Sequence, residues 1–130
     1  MQPSVHEEPA KQEKQLENTK SESFYRSILQ ACLWMAGARV THEKPENLGR
    51  LDLEVVFGTL TYVIEIKMTK NVKGAAQTAR AGMKQIHTRG CGRSSEHPIL
   101  VSLAIGREER NIVGCLCERD GQVTKVKVEK

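Results

Sequence analysis

The chain has 130 residues and a formal net charge of +4, a size and charge that fit one globular domain with a substantial core. No apolar run approaches the roughly 20 residues that a membrane-spanning helix needs, and no signal-peptide pattern follows Met1. The four cysteines lie at no metal-ligand spacing relative to the four histidines, which favours reduced thiols. These features argue against a membrane partner and predict a soluble, cytoplasmic protein.

Residues 1–20 contain four Glu and three Lys and almost no large apolar side chains. Such a segment cannot bury enough apolar surface to fold alone. We therefore predict a disordered leader or interdomain linker over residues 1–20, followed by one domain over residues 21–130.

The first predicted element is a helix that begins at a capping box, Thr19 to Glu22, and ends near Gly37. Its apolar side chains form one stripe with a second row beside it: Phe24, Ile28, Ala31 and Met35, then Leu29, Leu33 and Ala36. After this helix, ARVTHE is a short predicted strand and KPENLG is a predicted loop.

A second helix is predicted over residues 72–88, with a stop at Gly90. Its expected apolar stripe consists of Val72, Ala76, Ala79, Met83 and Ile86. The next segment, HPILVSLAIG, is an unbroken apolar run typical of a strand buried on both faces of a parallel sheet. Two closing strands are predicted at RNIVGCLCE and QVTKVKVE. With the hairpin described next, the order is α-β-β-β-α-β-β-β, which predicts an α/β domain with a mixed sheet.

The stretch GRLDLEVVFGTLTYVIEIK, residues 49–67, predicts a hairpin with a two-residue Gly-Thr turn of type II′. In that register Phe57 pairs with Leu60, and one face of the hairpin is wholly apolar. The members of this face are Leu51, Leu53, Val55, Phe57, Leu60, Tyr62, Ile64 and Ile66. The same register places Asp52 opposite Glu65 on the other face.

Two carboxylates that face each other across a strand pair repel, so Asp52 and Glu65 together indicate a bound cation. Carboxylate oxygens are the ligands that Mg²⁺ or Mn²⁺ prefers. Lys67 points the same way as Glu65 and could activate water or neutralise charge on a phosphate. The alternative from spacing alone is a solvated outer face that carries ordinary charges.

The segment from Ile66 to Ser95 contains no acidic residue. Its basic side chains include a helical stripe opposite the apolar one, and the candidate nucleic-acid contacts are Lys70, Lys73, Arg80 and Lys84. Cations beside a two-acid site favour binding of a nucleic-acid backbone. The alternative is a stripe that serves only solubility.

Three segments, GRLD, IEIK and AGMKQI, resemble the motifs of the PD-(D/E)XK nuclease superfamily, and the resemblance covers residues 21–118. It is strongest to the nuclease-like domain found C-terminal to AAA-ATPase-like regions in bacterial proteins. The resemblance implies a restriction-endonuclease-like αβββαβ core, here with additional C-terminal strands. It also implies divalent-metal-dependent hydrolysis of phosphodiester bonds.

Roles for individual residues follow from the same resemblance. Asp52 and Glu65 would be metal ligands, and Lys67 would be the catalytic lysine. Gln85, on the second helix, would orient water or phosphate.

The family often adds an acid from the first helix, and Glu22 is the best match for it. The capping box already gives Glu22 a structural explanation, and Glu43 is a weaker candidate. The proline that precedes the motif aspartate in the family is Leu51 here.

The sequence thus favours a Mg²⁺- or Mn²⁺-dependent nuclease that acts on DNA rather than RNA, with a homodimer as one arrangement. One alternative is a non-catalytic nucleic-acid- or protein-binding module on the same fold. Another is a toxin-like effector nuclease in which residues 1–20 link the domain to a delivery partner. An AAA-ATPase-like region would be a partner, since this chain contains no GxxxxGK[ST] motif.

Overall fold

The computed structural model describes residues 22–42, 53–88 and 97–128. In chain order its elements are helix α1 (22–35 of the described residues), strands β1 (Arg39–His42), β2 (Leu53–Phe57) and β3 (Leu60–Thr69), a 3₁₀ turn (Val72–Gly74), helix α2 (Ala75–Thr88), and strands β4 (Ile99–Gly106), β5 (Asn111–Arg119) and β6 (Gln122–Lys125). This succession confirms the predicted order of elements. The predicted leader, the capping residue Thr19, the loop after the first strand and the stop at Gly90 lie outside the described residues.

Six strands of the described chain form one mixed sheet in the order β1-β2-β3-β4-β5-β6. Strands β3 and β4 run parallel, and every other neighbouring pair is antiparallel. A parallel pair needs a crossover connection, which α2 supplies here. The predicted α/β class is confirmed, and the fold is consistent with a restriction-endonuclease-like core.

The β2–β3 hairpin has the predicted register, with Phe57 paired to Leu60. Gly58 has a φ of +63°, as the first central position of a type II′ turn requires. Phe57 and Leu60 belong to the predicted apolar face of the hairpin, but both are exposed, because the apolar cluster on that face does not extend to the turn. Asp52, which this register would set opposite Glu65, lies outside the described residues.

Both faces of the sheet are covered by a helix. One face carries a buried apolar cluster against which α1 packs, and its strand members are Leu53, Val55, Ile64, Ile66 and Ile105. On the opposite face, Val63 and Leu100 pack against Met83 and Ile86 of α2. The sheet is therefore the middle layer of a three-layer arrangement.

Helix α1 packs on the sheet through the second of its two apolar rows. Tyr25, Leu29 and Leu33 contact the buried cluster, whereas Phe24 and Met35 are 61% and 87% exposed. Of the two predicted apolar rows, the row with Leu29 and Leu33 packs on the sheet and the stripe with Phe24 is largely exposed. The helix is apolar on two sides, and helical periodicity alone does not say which side meets the sheet.

The predicted end of α1 near Gly37 is confirmed. Gly37 has a φ of +92°, its amide donates to the Trp34 carbonyl at 3.0 Å, and the Ala38 amide donates to the Leu33 carbonyl at 3.0 Å. These two bonds are those of a Schellman motif, in which glycine takes the left-handed position at low cost.

Helix α2 begins later than predicted, because a 3₁₀ turn precedes it. The Asn71 side-chain oxygen accepts from the Lys73 amide at 3.0 Å and caps this turn. The buried residues of α2 are Ala75, Ala79, Gly82, Met83 and Ile86. Val72 and Ala76, two members of the expected apolar stripe, are exposed. In the part of the chain that is described, no helix has the length and apolar character to cross a membrane.

Candidate active site

Strand β3 presents Glu65 and Lys67 on the sheet face that α2 covers. Side chains alternate along a strand, so the intervening Ile66 points into the opposite cluster and anchors the strand. Glu65 is only 3% exposed, and the Lys67 Nζ atom lies 3.9 Å from Glu65 Oε2. A solvated outer face is therefore the wrong interpretation for Glu65, because a carboxylate this deeply buried must be held by partners in the protein.

Helix α2 approaches the sheet very closely at Gly82. A Cβ atom at this position would overlap Ser102 Oγ and would lie 3.5 Å from Lys67 Cγ. Ser102 is the register partner of Glu65 on β4, and its hydroxyl donates to the Ala79 carbonyl at 2.7 Å. The aliphatic stem of Lys67 is thus packed beside the helix backbone, which limits where its ammonium group can lie.

Helix α1 brings Glu22 to the same region of β3. The Met68 amide, which follows Lys67 in the strand, donates to Glu22 Oε2 at 3.3 Å. This contact joins residues that are 46 positions apart in the sequence. A second carboxylate therefore lies at the end of β3 where the candidate site is formed.

Gln85 lies three residues after Gly82 on α2, so the two are neighbours on the helix surface. The Gln85 Oε1 atom is buried and has no hydrogen-bond partner among the described residues. A buried amide oxygen without a partner is costly, and a bound water would satisfy it. An acceptor of this kind can orient a water, as the predicted role includes, whereas a phosphate would need the donors of the Gln85 Nε2 group.

Three described side chains near β3 and α2 carry oxygen donors. The carboxylates of Glu65 and Glu22 and the amide oxygen of Gln85 are ligands of the type that Mg²⁺ or Mn²⁺ prefers. Within the described part of the chain, no group of three or more His, Cys, Asp or Glu side chains is arranged to hold a metal. The predicted ligand Asp52 and the candidate Glu43 lie outside that part, so the predicted Asp52–Glu65 pair stays a prediction.

The predicted nucleic-acid contacts are spread around α2. Lys70 follows β3 directly and is exposed. Side chains on a helix advance by about 100° per residue, so Lys84 and Arg80 point about 100° and 140° away from Gln85. Lys73 and Arg80 line a groove between α2 and the β5–β6 hairpin.

Two of the cysteines lie next to each other on one face of β5. Leu116 packs in the α2-side cluster, so its neighbours Cys115 and Cys117 face the other side of the sheet. Both are free thiols of intermediate burial, and Cys91 lies outside the described residues. Burial raises the pKa of the Cys115 thiol, and the neighbouring Cys117 raises it further.

Two contacts in this region were missed by the sequence patterns. The first is the close approach of Gly82 to Ser102. Ser102 is the one hydroxyl residue in the otherwise apolar strand ILVSLAIG, and Gly82 is the one glycine inside α2. A small helical residue together with a polar residue in a buried strand is the signal that could have indicated their close approach. The second missed contact joins α2 to β5, where His87 Nε2 lies 2.8 Å from Glu118 Oε1.

A mixed sheet, a hairpin strand with Glu65 and Lys67 on one face, and a helix packed over both are consistent with a restriction-endonuclease-like α/β domain. The chain belongs to the PD-(D/E)XK nuclease superfamily, because the model of this family matches residues 20–113. This match runs from α1 into β5 and includes the whole candidate site. Neither a curated protein nor a solved structure matches the chain significantly.

Proposed function

We propose that this protein is a Mg²⁺- or Mn²⁺-dependent nuclease that hydrolyses phosphodiester bonds of DNA. The observation that supports the proposal most directly is the buried Glu65 carboxylate, with the Lys67 ammonium 3.9 Å away on the same strand. Membership of the PD-(D/E)XK superfamily supports nuclease chemistry in general. The choice of DNA over RNA is part of the proposal.

Asp52 and Glu65 would hold the metal ion, with Glu22 or Glu43 as a further acid. The ion, when bound, supplies positive charge that polarises a phosphate and lowers the pKa of a coordinated water. Lys67 would stabilise the negative charge that develops on the phosphate. Its stem lies beside α2 and its ammonium is near Glu65, so the charge is already in place before substrate binds.

Residues around this centre would hold the substrate. Gln85 would accept a hydrogen bond from the attacking water through Oε1, which has no partner among the described residues. The exposed side chains of Lys70 and Lys84 would neutralise backbone phosphates. Lys73 and Arg80 were predicted as further contacts, and they line the groove on the other flank of α2.

Cleavage of plasmid DNA, linear DNA and RNA in Mg²⁺, Mn²⁺ or EDTA tests this proposal. We expect metal-dependent cleavage of DNA by the wild type, and a loss of about 10²-fold or more in Glu65→Gln and Lys67→Met. Glu108→Gln and Lys127→Met make the same chemical changes at exposed positions and should leave cleavage unaltered. Equal metal-dependent rates in the wild type and in Glu65→Gln would refute the proposal.

A second candidate is a non-catalytic binding module on the same fold. It is favoured by the contact in which Glu22, the candidate further acid, accepts from the Met68 amide, because this contact gives Glu22 a structural role. Calorimetric titration with Mn²⁺ separates the two candidates, because a module without a metal site gives no heat that depends on Asp52 or Glu65. An effector role, an ATPase-like or delivery partner, a homodimer and a cytoplasmic location stay predictions.

A further inference from the structure

A groove of about 490 Å³ opens between α2 and the β5–β6 hairpin. Its volume is within the range of about 300–1,000 Å³ that is typical of binding sites. Arg80 lines the groove and lies about 140° around the helix axis from Gln85. The groove and the candidate active site are therefore on opposite flanks of α2.

Among the described residues, the charged side chains that line the groove are all positive. Lys73 comes from the 3₁₀ turn, Arg80 from α2 and Lys125 from β6, and none of the lining residues that the structure describes is acidic. Among the described residues none of these three cations is part of an ion pair. Three cations that converge from separate elements without counter-charges favour an anionic occupant.

The floor of the groove is aliphatic. It includes Val113 and Leu116 of β5 and Val123 of β6, and Val123 is 53% exposed. No aromatic residue is among the described residues that line it, so these residues offer nucleic-acid bases no stacking partner. Aliphatic surface beside cations instead suits a peptide that carries both aliphatic and acidic side chains.

The rim of the groove is a strand edge with unpaired backbone groups. Strand β6 is the last strand of the sheet, and no strand of the described residues pairs with its outer side. The Val126 amide donates to the Cys115 carbonyl at 2.9 Å. Because hydrogen bonding alternates along an antiparallel pair, the N–H and C=O groups of Val123 and Lys125 point to the open edge. The residues that line the groove thus also offer main-chain partners to an incoming strand.

We propose that this groove binds an extended, acidic segment of another protein by strand addition to β6. The segment pairs with the main chain of Val123 and Lys125 and lays aliphatic side chains on the floor. Its carboxylates meet Lys73, Arg80 and Lys125. This interaction is separate from the proposed nuclease activity and does not depend on it.

Fluorescence anisotropy with a designed peptide tests the proposal. The probe is a labelled peptide in which the odd positions are alternately valine and glutamate and every even position is serine. In an extended strand all valine and glutamate side chains of this peptide then lie on one face. We expect saturable binding, no binding of the peptide with lysine in place of glutamate, and a loss of about twofold to fivefold for Lys73→Glu, Arg80→Glu or Lys125→Glu. Arg119→Glu is the matched control, because Arg119 lies on the other face of the same hairpin, and it should not change the affinity.

Amide hydrogen exchange locates the bound peptide. We expect the exchange of the Val123 and Lys125 amides to slow when the peptide binds. The Thr124 amide already pairs with β5 and should change little. Absence of saturable peptide binding, or a loss in Arg119→Glu equal to that in Arg80→Glu, overturns the proposal. An oligothymidylate that displaces the peptide and protects the same amides also overturns it, because the groove would then be a nucleic-acid surface.

Discussion

Replacing Gly82 with alanine adds one methyl group at the point where α2 lies closest to the sheet. The new Cβ would overlap Ser102 Oγ, and it would lie 3.4 Å from Ser102 Cβ and 3.5 Å from Lys67 Cγ. Either the Ser102 side chain rotates and gives up its 2.7 Å bond to the Ala79 carbonyl, or α2 moves away from the sheet. Each response disturbs the neighbours of Glu65 and Lys67.

The two responses have similar costs. Loss of the bond from a hydroxyl that is fully buried costs about 1–3 kcal/mol, and overpacking costs about 1–3 kcal/mol. Alanine returns about 1 kcal/mol through its better helix propensity. We therefore expect a net loss of about 1 kcal/mol in the free energy of unfolding. Cleavage should fall much more, by about 10²-fold, since a shift of about 1 Å at a catalytic group is enough for that.

Urea denaturation and metal-dependent DNA cleavage, measured on the same preparations, check this prediction. The double variant Gly82→Ala, Ser102→Ala lacks the overlapping oxygen, so the remaining contacts are ordinary ones and stability should be regained relative to Gly82→Ala alone. If the two substitutions are additive in the free energy of unfolding, the close contact is not the cause. The stability cycle tests the packing even if the protein does not cleave DNA.

Three further outcomes are expected. Glu22→Ala should lower the free energy of unfolding, measured by urea denaturation, by about 1 kcal/mol, because it leaves the Met68 amide without its acceptor. Glu22→Gln keeps an oxygen at this place and should cost less. An equal loss of stability in the two variants would contradict the contact. Gly37→Ala should lower the free energy of unfolding by about 1 kcal/mol. No atom lies within 4 Å of the added Cβ, so the cost arises from backbone strain at a φ of +92°. An unchanged midpoint of urea denaturation would exclude this backbone strain. The pKa of the Cys115 thiol is higher in the folded protein than in the unfolded chain. Its contribution to stability is therefore complete below the pKa of the unfolded chain, and it is lost as the pH rises through the pKa of the folded protein. Thermal denaturation at neutral and alkaline pH should show this loss in the wild type and less of it in Cys115→Ser.

Strand features of this fold could be predicted because they depend on local chemistry. A Gly-Thr turn fixes the pairing of Phe57 with Leu60, and alternation along β3 then puts Glu65 and Lys67 on one face. The apolar run that forms β4 indicated a parallel, buried strand, and it pairs parallel to β3. The face of α1 that meets the sheet could not be predicted in this way, because that helix offers two apolar sides.

The rotation of α2 about its own axis explains why its contribution to the site could be predicted only in part. The predicted stripe centres on Ala76, Ala79 and Met83, whereas burial of Ala75 and Gly82 turns the helix by about 40°. This rotation brings Gln85 closer to the sheet, and it turns the basic side chains of Arg80 and Lys84 further away from the sheet. Hydrophobic periodicity could not show this, because a glycine counts for little in an apolar pattern, although only a glycine fits the space beside Ser102. The close approach at Gly82 therefore brings Gln85 toward the flank of α2 that carries Gly82, and it leaves Arg80 on the opposite flank, beside the groove.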